Sequence, residues 1–280
     1  MEVFNDVVFV RLRSYVHRSK YLAAEVDGLN VCLTRKRGVH NTVWAVQHAA
    51  GPGGIPCVLL RGAYGRYLAA VDIQASVGPN GFLTRQAELG HNPPPHAFRW
   101  QAIRRRSSFV LRNGTGRYLR ANGRYLRWRR EITVALDNGS TMMQWVIENV
   151  PVRLTRPSIL DPPRQLTHSR RPPPTEGQVT RVIGFVRAEL DGSVTESAWR
   201  TMELRTSNCL QLRLTLANRM GPTRDVARTT LCFRAGRYGQ LTPLVIDLPI
   251  GNERINLVVL RHNTPVDNQL RYPDLDAPAA

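Results

Sequence analysis

The sequence predicts an all-β first half built as a β-trefoil, joined to a small α+β unit in the second half. Three observations predict this. One chain segment recurs three times within residues 1–150. Helical periodicity is absent from that stretch, where apolar and polar residues instead alternate in short runs. A Pro- and Arg-rich stretch at 153–177 then interrupts the chain, and the pattern changes after it. The length of 280 residues itself leans towards two domains.

The recurring segment reads Val10-Arg-Leu-Arg-Ser14 with Lys20-Tyr-Leu-Ala-Ala24, then Val58 to Ala70, then Phe109 to Ala121. Its Tyr-Leu pairs begin at Tyr21, Tyr67 and Tyr118, so the repeats are spaced by 46 and 51 residues. Val10/Leu12, Val58/Leu60 and Phe109/Leu111 each sit two apart, on one face of a strand, with Arg13, Arg61 and Arg112 on the other. Gly65 and Gly116 supply a tight turn, and the first repeat replaces it with a wider loop at Tyr15–Ser19. Leu22, Leu68 and Leu119 then point inward, and the basic residues Lys20, Arg66 and Arg117 point outward. Each repeat ends near a tryptophan: Trp44, Trp100 and Trp145. Three blades do not close a propeller, whereas three four-strand units close a trefoil barrel capped by hairpins. The repeats are placed at about 1–50, 51–102 and 103–152, with the tryptophans in the core.

Leu60-Arg-Gly-Ala-Tyr-Gly-Arg-Tyr-Leu-Ala-Ala70 resembles the repeat of fascin-type actin-crosslinking β-trefoils. Met1-Glu-Val-Phe-Asn-Asp6, Val10–Ser14, and Leu119-Arg-Ala-Asn-Gly123 followed by Trp128 are similar to a plant family catalogued as domain of unknown function 569. That resemblance implies a fascin-like trefoil followed by a ubiquitin-like β-grasp domain, and it makes the actin filament a candidate partner.

Residues 153–177 read as an extended, semi-rigid tether, with binding of its proline run by a partner as the alternative. Beyond it, Val179–Leu190 alternates as a strand, Asp191-Gly192 marks a turn, and a second strand lies near Trp199–Leu204. Ser207-Asn208 and Gly221 bracket a helix, although Leu210, Leu212, Leu214 and Leu216 alternate as a strand would. The cap, the length and the resemblance together favour the helix. Thr229–Phe233, Leu244–Leu248 and Asn256–Leu260 read as strands. The resulting order over 178–262, strands, a helix and strands again, is similar to the β-grasp module, docking partners through an exposed sheet face or the helix, with a loose tail at 263–280.

The formal charge is +18, and 37 of the 39 basic residues are arginine, the exceptions being Lys20 and Lys36. Such a field attracts nucleic acid, anionic lipid or acidic protein surfaces. Basic clusters are Arg35-Lys36-Arg37, Arg104-Arg105-Arg106 and Arg127-Trp128-Arg129-Arg130, each also compatible with plain solvated surface or a short nuclear-import signal. The last interleaves an aromatic ring that suits stacking. His91 and His96 flank a proline run on a loop, which argues against a metal pair.

Signatures of zinc hydrolases, nucleophile elbows, P-loops and dinucleotide sites are missing from the sequence. Sugar-binding trefoils carry Gln-x-Trp, but Thr42, Phe98 and Met143 stand two before the tryptophans here. Cys32, Cys57, Cys209 and Cys232 show no CxxC spacing and read as free thiols. No leader and no membrane span are apparent. The expectation is a non-enzymatic adaptor needing no cofactor, cytoplasmic or nuclear, whose trefoil binds a protein surface and whose second domain docks another partner. A polyanion binder is the alternative.

Overall fold

A computed structural model describes residues 1–75, 81–123, 131–136, 139–167, 180–220 and 229–278. In the first half it shows three sets of four strands. These are β1–β4 (Phe9–Ser14, Tyr21–Ala24, Val31–Thr34, Val43–Ala50), β5–β8 (Pro56–Arg61, Tyr67–Gln74, Gly81–Ala87, Trp100–Arg105) and β9–β12 (Ser108–Asn113, Tyr118–Ala121, Ile132–Ala135, Gln144–Val150).

The first and fourth strands of each set close a ring. β1 pairs with β4, β4 with β5, β5 with β8, β8 with β9, β9 with β12, and β12 returns to β1, all antiparallel. The second and third strands pair as hairpins, β2–β3, β6–β7 and β10–β11. A closed six-strand ring with three hairpins is a β-trefoil, as the repeats predict.

The side chains explain why the ring closes. Leu12, Leu60 and Leu111, and likewise Leu22, Leu68 and Leu119, are fully buried. Each such leucine gives about 1.5–3 kcal/mol on leaving water. Trp44, Trp100 and Trp145 are fully buried too, and their indole N–H groups donate to the carbonyls of Leu22, Leu68 and Leu119 at 3.2, 2.9 and 3.0 Å. One bond, repeated three times, thus ties each fourth strand to its own hairpin and satisfies the three buried indole donors. The tryptophans open β4, β8 and β12 rather than end them.

In the second half, β13 (Arg181–Arg187), β14 (Arg200–Leu204), β15 (Thr229–Phe233), β16 (Thr242–Pro243) and β17 (Ile255–Arg261) form a sheet ordered β14-β13-β17-β15-β16. Its centre is the parallel pair β13–β17, and α1 (Cys209–Arg219) packs against one face. The Asn208 side chain caps α1 by accepting from the Gln211 amide at 3.0 Å. Leu212 and Leu216 are buried while Leu210 and Leu214 are exposed, so four-residue helical spacing overrides the apparent alternation. This is the ubiquitin-like arrangement.

Three expectations fail here. Leu244–Leu248 is not a strand. Leu244, Ile246 and Leu248 are buried, but their stretch spends its amides on irregular partners, with Asp247 N–H donating to Gln165 Oε1 and Leu248 N–H to Ser207 O. The tail is not loose. α2 (Pro265–Gln269) lays Val266 and Leu270 over Val186, Cys232, Val258 and Leu260, covering much of the sheet face opposite α1. Tyr272, Leu275 and Ala277 are then buried, and Val152 bridges Pro273. Finally, the described part of the tether, 153–167, is docked: the His40 amide donates to Arg164 O at 2.8 Å and the Leu166 amide to Asn41 Oδ1 at 2.9 Å. The rest of the tether lies outside the described residues.

Candidate functional site

Equivalent arginines of the three repeats meet different fates. Arg13 pairs with Glu148 at 2.6 Å, Arg112 is exposed, and Arg61 turns into the second domain, donating to Leu241 O at 3.1 Å. Burial drives the Arg61 guanidinium below its ordinary pKa. The outward set diverges as well. Arg117 binds Asp72 at 2.7 Å and lies 3.7 Å over the Phe82 ring. Lys20 is half-buried ahead of β2. Arg66 does not point to solvent: it bonds Gly28 O at 2.9 Å, Glu88 at 3.3 Å and Glu253 of the second domain at 2.6 Å. A three-fold array of free basic groups is therefore not what the fold presents.

The second repeat instead forms a seat for the second domain. Ala63, Tyr64 and Gly65, at its β5–β6 turn, are all buried. The Tyr64 ring meets Phe233 edge-on at 6.2 Å, and its hydroxyl accepts from Asn41 Nδ2 at 3.1 Å. Gly65 has φ +74°, and a Cβ there would lie 2.8 Å from the Phe233 Cβ, so no larger residue fits this turn. The Gln240 amide donates to Tyr67 Oη at 3.0 Å, the Leu89 amide to Ala235 O at 2.9 Å, and the Ile250 amide to Val26 O at 2.7 Å. Apolar residues of both domains join in one core cluster.

Beside this seat a small cavity of about 30 Å³ is lined by His40, Arg61, Thr242 and Tyr272 among others. His40 is buried with no partner for Nδ1, and burial pushes its pKa down to about 4. Its counterpart one repeat later, His96, is exposed on the loop expected for it.

Arginines also serve as internal donors. Arg11, fully buried, donates to Leu275 O of the tail at 3.0 Å; burial, then Arg37, lower its pKa, and Glu148 counters them. Arg213 holds Leu244 O at 2.9 Å and Thr229 O at 3.2 Å. Arg181 donates to Pro249 O and Gly251 O, and burial holds its pKa near 10.

Of the basic clusters, Arg37 is drawn inward by Glu148 at 3.5 Å and by Ala277 O at 2.8 Å, whereas Arg35 and Lys36 are exposed. Arg104, Arg105 and Arg106 are exposed where β8 turns into β9, with Arg104 5.4 Å over the Phe109 ring. Arg127, Arg129 and Arg130 lie outside the described residues. The structure does not join Arg35–Arg37 and Arg104–Arg106 into one contact network. What sequence reasoning missed is the seat itself, although Ala63-Tyr64, an apolar pair at a hairpin tip, was a legible signal. Cys32, Cys57, Cys209 and Cys232 are free thiols. No described helix is long and apolar enough to cross a membrane.

Comparison with known proteins accords with this architecture. Residues 1–148 match the family model described as a β-trefoil domain of unknown function (DUF569), and residues 179–260 match the DUF569-associated ubiquitin-like domain. No curated protein matches the chain. Among solved structures, the designed three-fold symmetric protein ThreeFoil is 17% identical over 50% of this chain and 96% of that one, with a TM-score of 0.40. The Rhizoctonia solani agglutinin is 13% identical over 51% of this chain and 95% of its own, at 0.40. A mosquitocidal holotoxin is 12% identical over 54% of this chain, at 0.42, and this chain spans 18% of its length.

Proposed function

The chain belongs to the DUF569 β-trefoil family, and from that premise we propose that it is a non-enzymatic adaptor whose trefoil docks on an acidic protein surface. The observation that carries the reading is the Arg104–Arg106 turn. It is exposed, and no ion pair joins it to a carboxylate among the described residues. Exposed Arg35 and Lys36 add to the basic surface. Complementary charge sets the approach and register of such a complex, and a few desolvated anchors set its lifetime. Because the second domain is seated on the trefoil, the two act as one body, and the outer side of α1, where Leu210 and Leu214 are exposed, offers a docking surface of its own. Four free thiols suit a reducing compartment, so the proposed location is the cytoplasm or nucleus.

The fascin-like repeat makes filamentous actin the first partner to test. In cosedimentation at physiological salt, the protein pellets with filaments, and reversal of Arg104, Arg105 and Arg106 to Glu abolishes pelleting. Absence of pelleting above the filament-free control rejects actin. A polyanion-binding reading is favoured by the net charge of +18. It requires affinity that falls log-linearly with salt, unlike a salt-resistant protein complex.

A further inference from the structure

The outer face of the second-domain sheet is only partly covered by α2, and its open part borders a cleft of about 600 Å³ reaching to Glu88 of the trefoil. That volume falls within the range of small-ligand sites. Arg234, Arg237 and Arg254 line it, with Trp199 and Asn256. Arg234 lies beside Asn256, whose carbonyl accepts its amide at 3.0 Å, and Arg254 Nε donates to Asn256 Oδ1 at 3.2 Å. Gly184 lies beneath them: a Cβ there would fall 2.5 Å from Asn256 Oδ1 and 3.1 Å from Arg254 Nη2. The missing side chain is what lets both groups fold down over the sheet.

These arginines differ from the others near the interface. Arg61, Arg181 and Arg213 are consumed by carbonyls, and Arg66 holds both Glu88 and Glu253. Arg234 uses one nitrogen on Arg237 O at 2.8 Å. No ion pair joins Arg234, Arg237 or Arg254 to a carboxylate among the described residues. Glu196, exposed, is the remaining acid of the lining besides Glu88.

The geometry points to a binding site for a small phosphate-bearing ligand in this cleft. Guanidinium forks match phosphate oxygens in pairs, which a point charge does not. The half-buried Trp199 offers a flat wall for a ring carried by the same ligand. The site belongs to the ubiquitin-like domain and is separate from the Arg104–Arg106 turn, so it stands or falls independently of the docking proposed above.

Isothermal titration of the full chain with inorganic pyrophosphate, adenosine triphosphate and inositol hexakisphosphate tests it. Binding of at least one is expected, weakened at least ~10-fold by the double change Arg234→Glu, Arg254→Glu and tightened by Glu196→Gln, as the sign of each charge requires. Arg104→Glu, Arg105→Glu leaves it unchanged. A thermal melt checks that each variant folds, and Arg237→Gln, at an exposed position, gives a milder second loss. Sedimentation with phosphatidylcholine vesicles, with and without phosphatidylinositol bisphosphate, separates the sources. Pelleting that depends on Arg254 assigns the phosphate to a lipid headgroup, and binding in solution alone assigns it to a free metabolite. Either supports the site. No binding in any arm, or equal binding by the Arg234/Arg254 variant, overturns it.

Discussion

Ala63-Tyr64-Gly65 and Gly114-Thr115-Gly116 occupy the same turn of successive repeats, and the backbone treats them alike. Gly65 N–H donates to Gly62 O at 3.0 Å and Gly116 N–H to Asn113 O at 2.9 Å, while Arg66 O and Arg117 O each accept at 2.8 Å. Their surroundings are opposite. The first turn is buried against the second domain, and in the second Gly114 and Thr115 are exposed. The cause is chemical. In the third repeat Asn113 Oδ1 accepts from the Thr115 amide at 3.0 Å, from its hydroxyl at 2.6 Å and from the Arg117 amide at 3.3 Å. That hairpin satisfies itself in water. In the second repeat Gly62 replaces the asparagine and Tyr64 the threonine, so the tip carries an aromatic ring that gains from cover. Three copies of one motif suffice for a barrel, and a few substitutions in one copy decide where a second domain sits.

Paired substitutions test this difference. Tyr64→Ala should cost about 3–5 kcal/mol, as removing a buried aromatic does. Thr115→Ala should stay within about 0.5 kcal/mol. Equal losses in denaturant titrations would break the comparison.

Acid should act next most strongly, through His40, which starts the short turn before Trp44. Folding holds His40 near pKa 4, below the ordinary 6.5, so the unfolded chain binds its proton first. Stability supplied by neutral His40 is present above about pH 6.5 and is lost as pH falls towards 4, by about 3 kcal/mol in all. Denaturation midpoints at pH 7 and 4.5 should show His40→Gln removing part of the acid sensitivity. A pH profile unchanged from that of the parent protein would contradict the burial argument.

Gly65→Ala and Gly116→Ala sharpen the comparison further. Both sit at positive φ, +74° and +85°, which costs a side chain about 1–2 kcal/mol. Only at Gly65 does the new Cβ also strike Phe233, so about 2–3 kcal/mol is expected there and about 1 kcal/mol at Gly116. Smallest is the arginine pair. Arg66→Ala should cost about 1–2 kcal/mol for its carbonyl and carboxylate bonds. Arg117→Ala, whose partner Asp72 is exposed, should cost under about 1 kcal/mol.

Much of the trefoil was legible because its determinants are local and repeated. The alternation of Leu12, Leu60 and Leu111, the Tyr-Leu pairs and the tryptophans are readable without knowing what lies across space. The helix was legible through the Asn208 cap. The sequence misled where a residue's role depends on a distant element. Arg66 and Arg117 are the same residue type in the same motif, and what separates them is what lies nearby, Gly28 O, Glu88 and Glu253 for one and Asp72 with the Phe82 ring for the other. The tail read as loose because it is a chain terminus, yet Val266, Leu270, Tyr272 and Leu275 recur along it as anchors. Arginine abundance read as surface charge, while Arg11, Arg61, Arg181 and Arg213 donate to backbone carbonyls. Tertiary partners of that kind leave no periodic trace.

A double-mutant cycle on Tyr64 and Phe233 probes the seating of one domain on the other most directly. Stability of Tyr64→Ala, Phe233→Ala and the combined variant should reveal a coupling of about 1 kcal/mol, the range for an edge-on aromatic pair in contact. Losses that add to within about 0.3 kcal/mol would show that the two rings do not meet, and that the second repeat carries no seat.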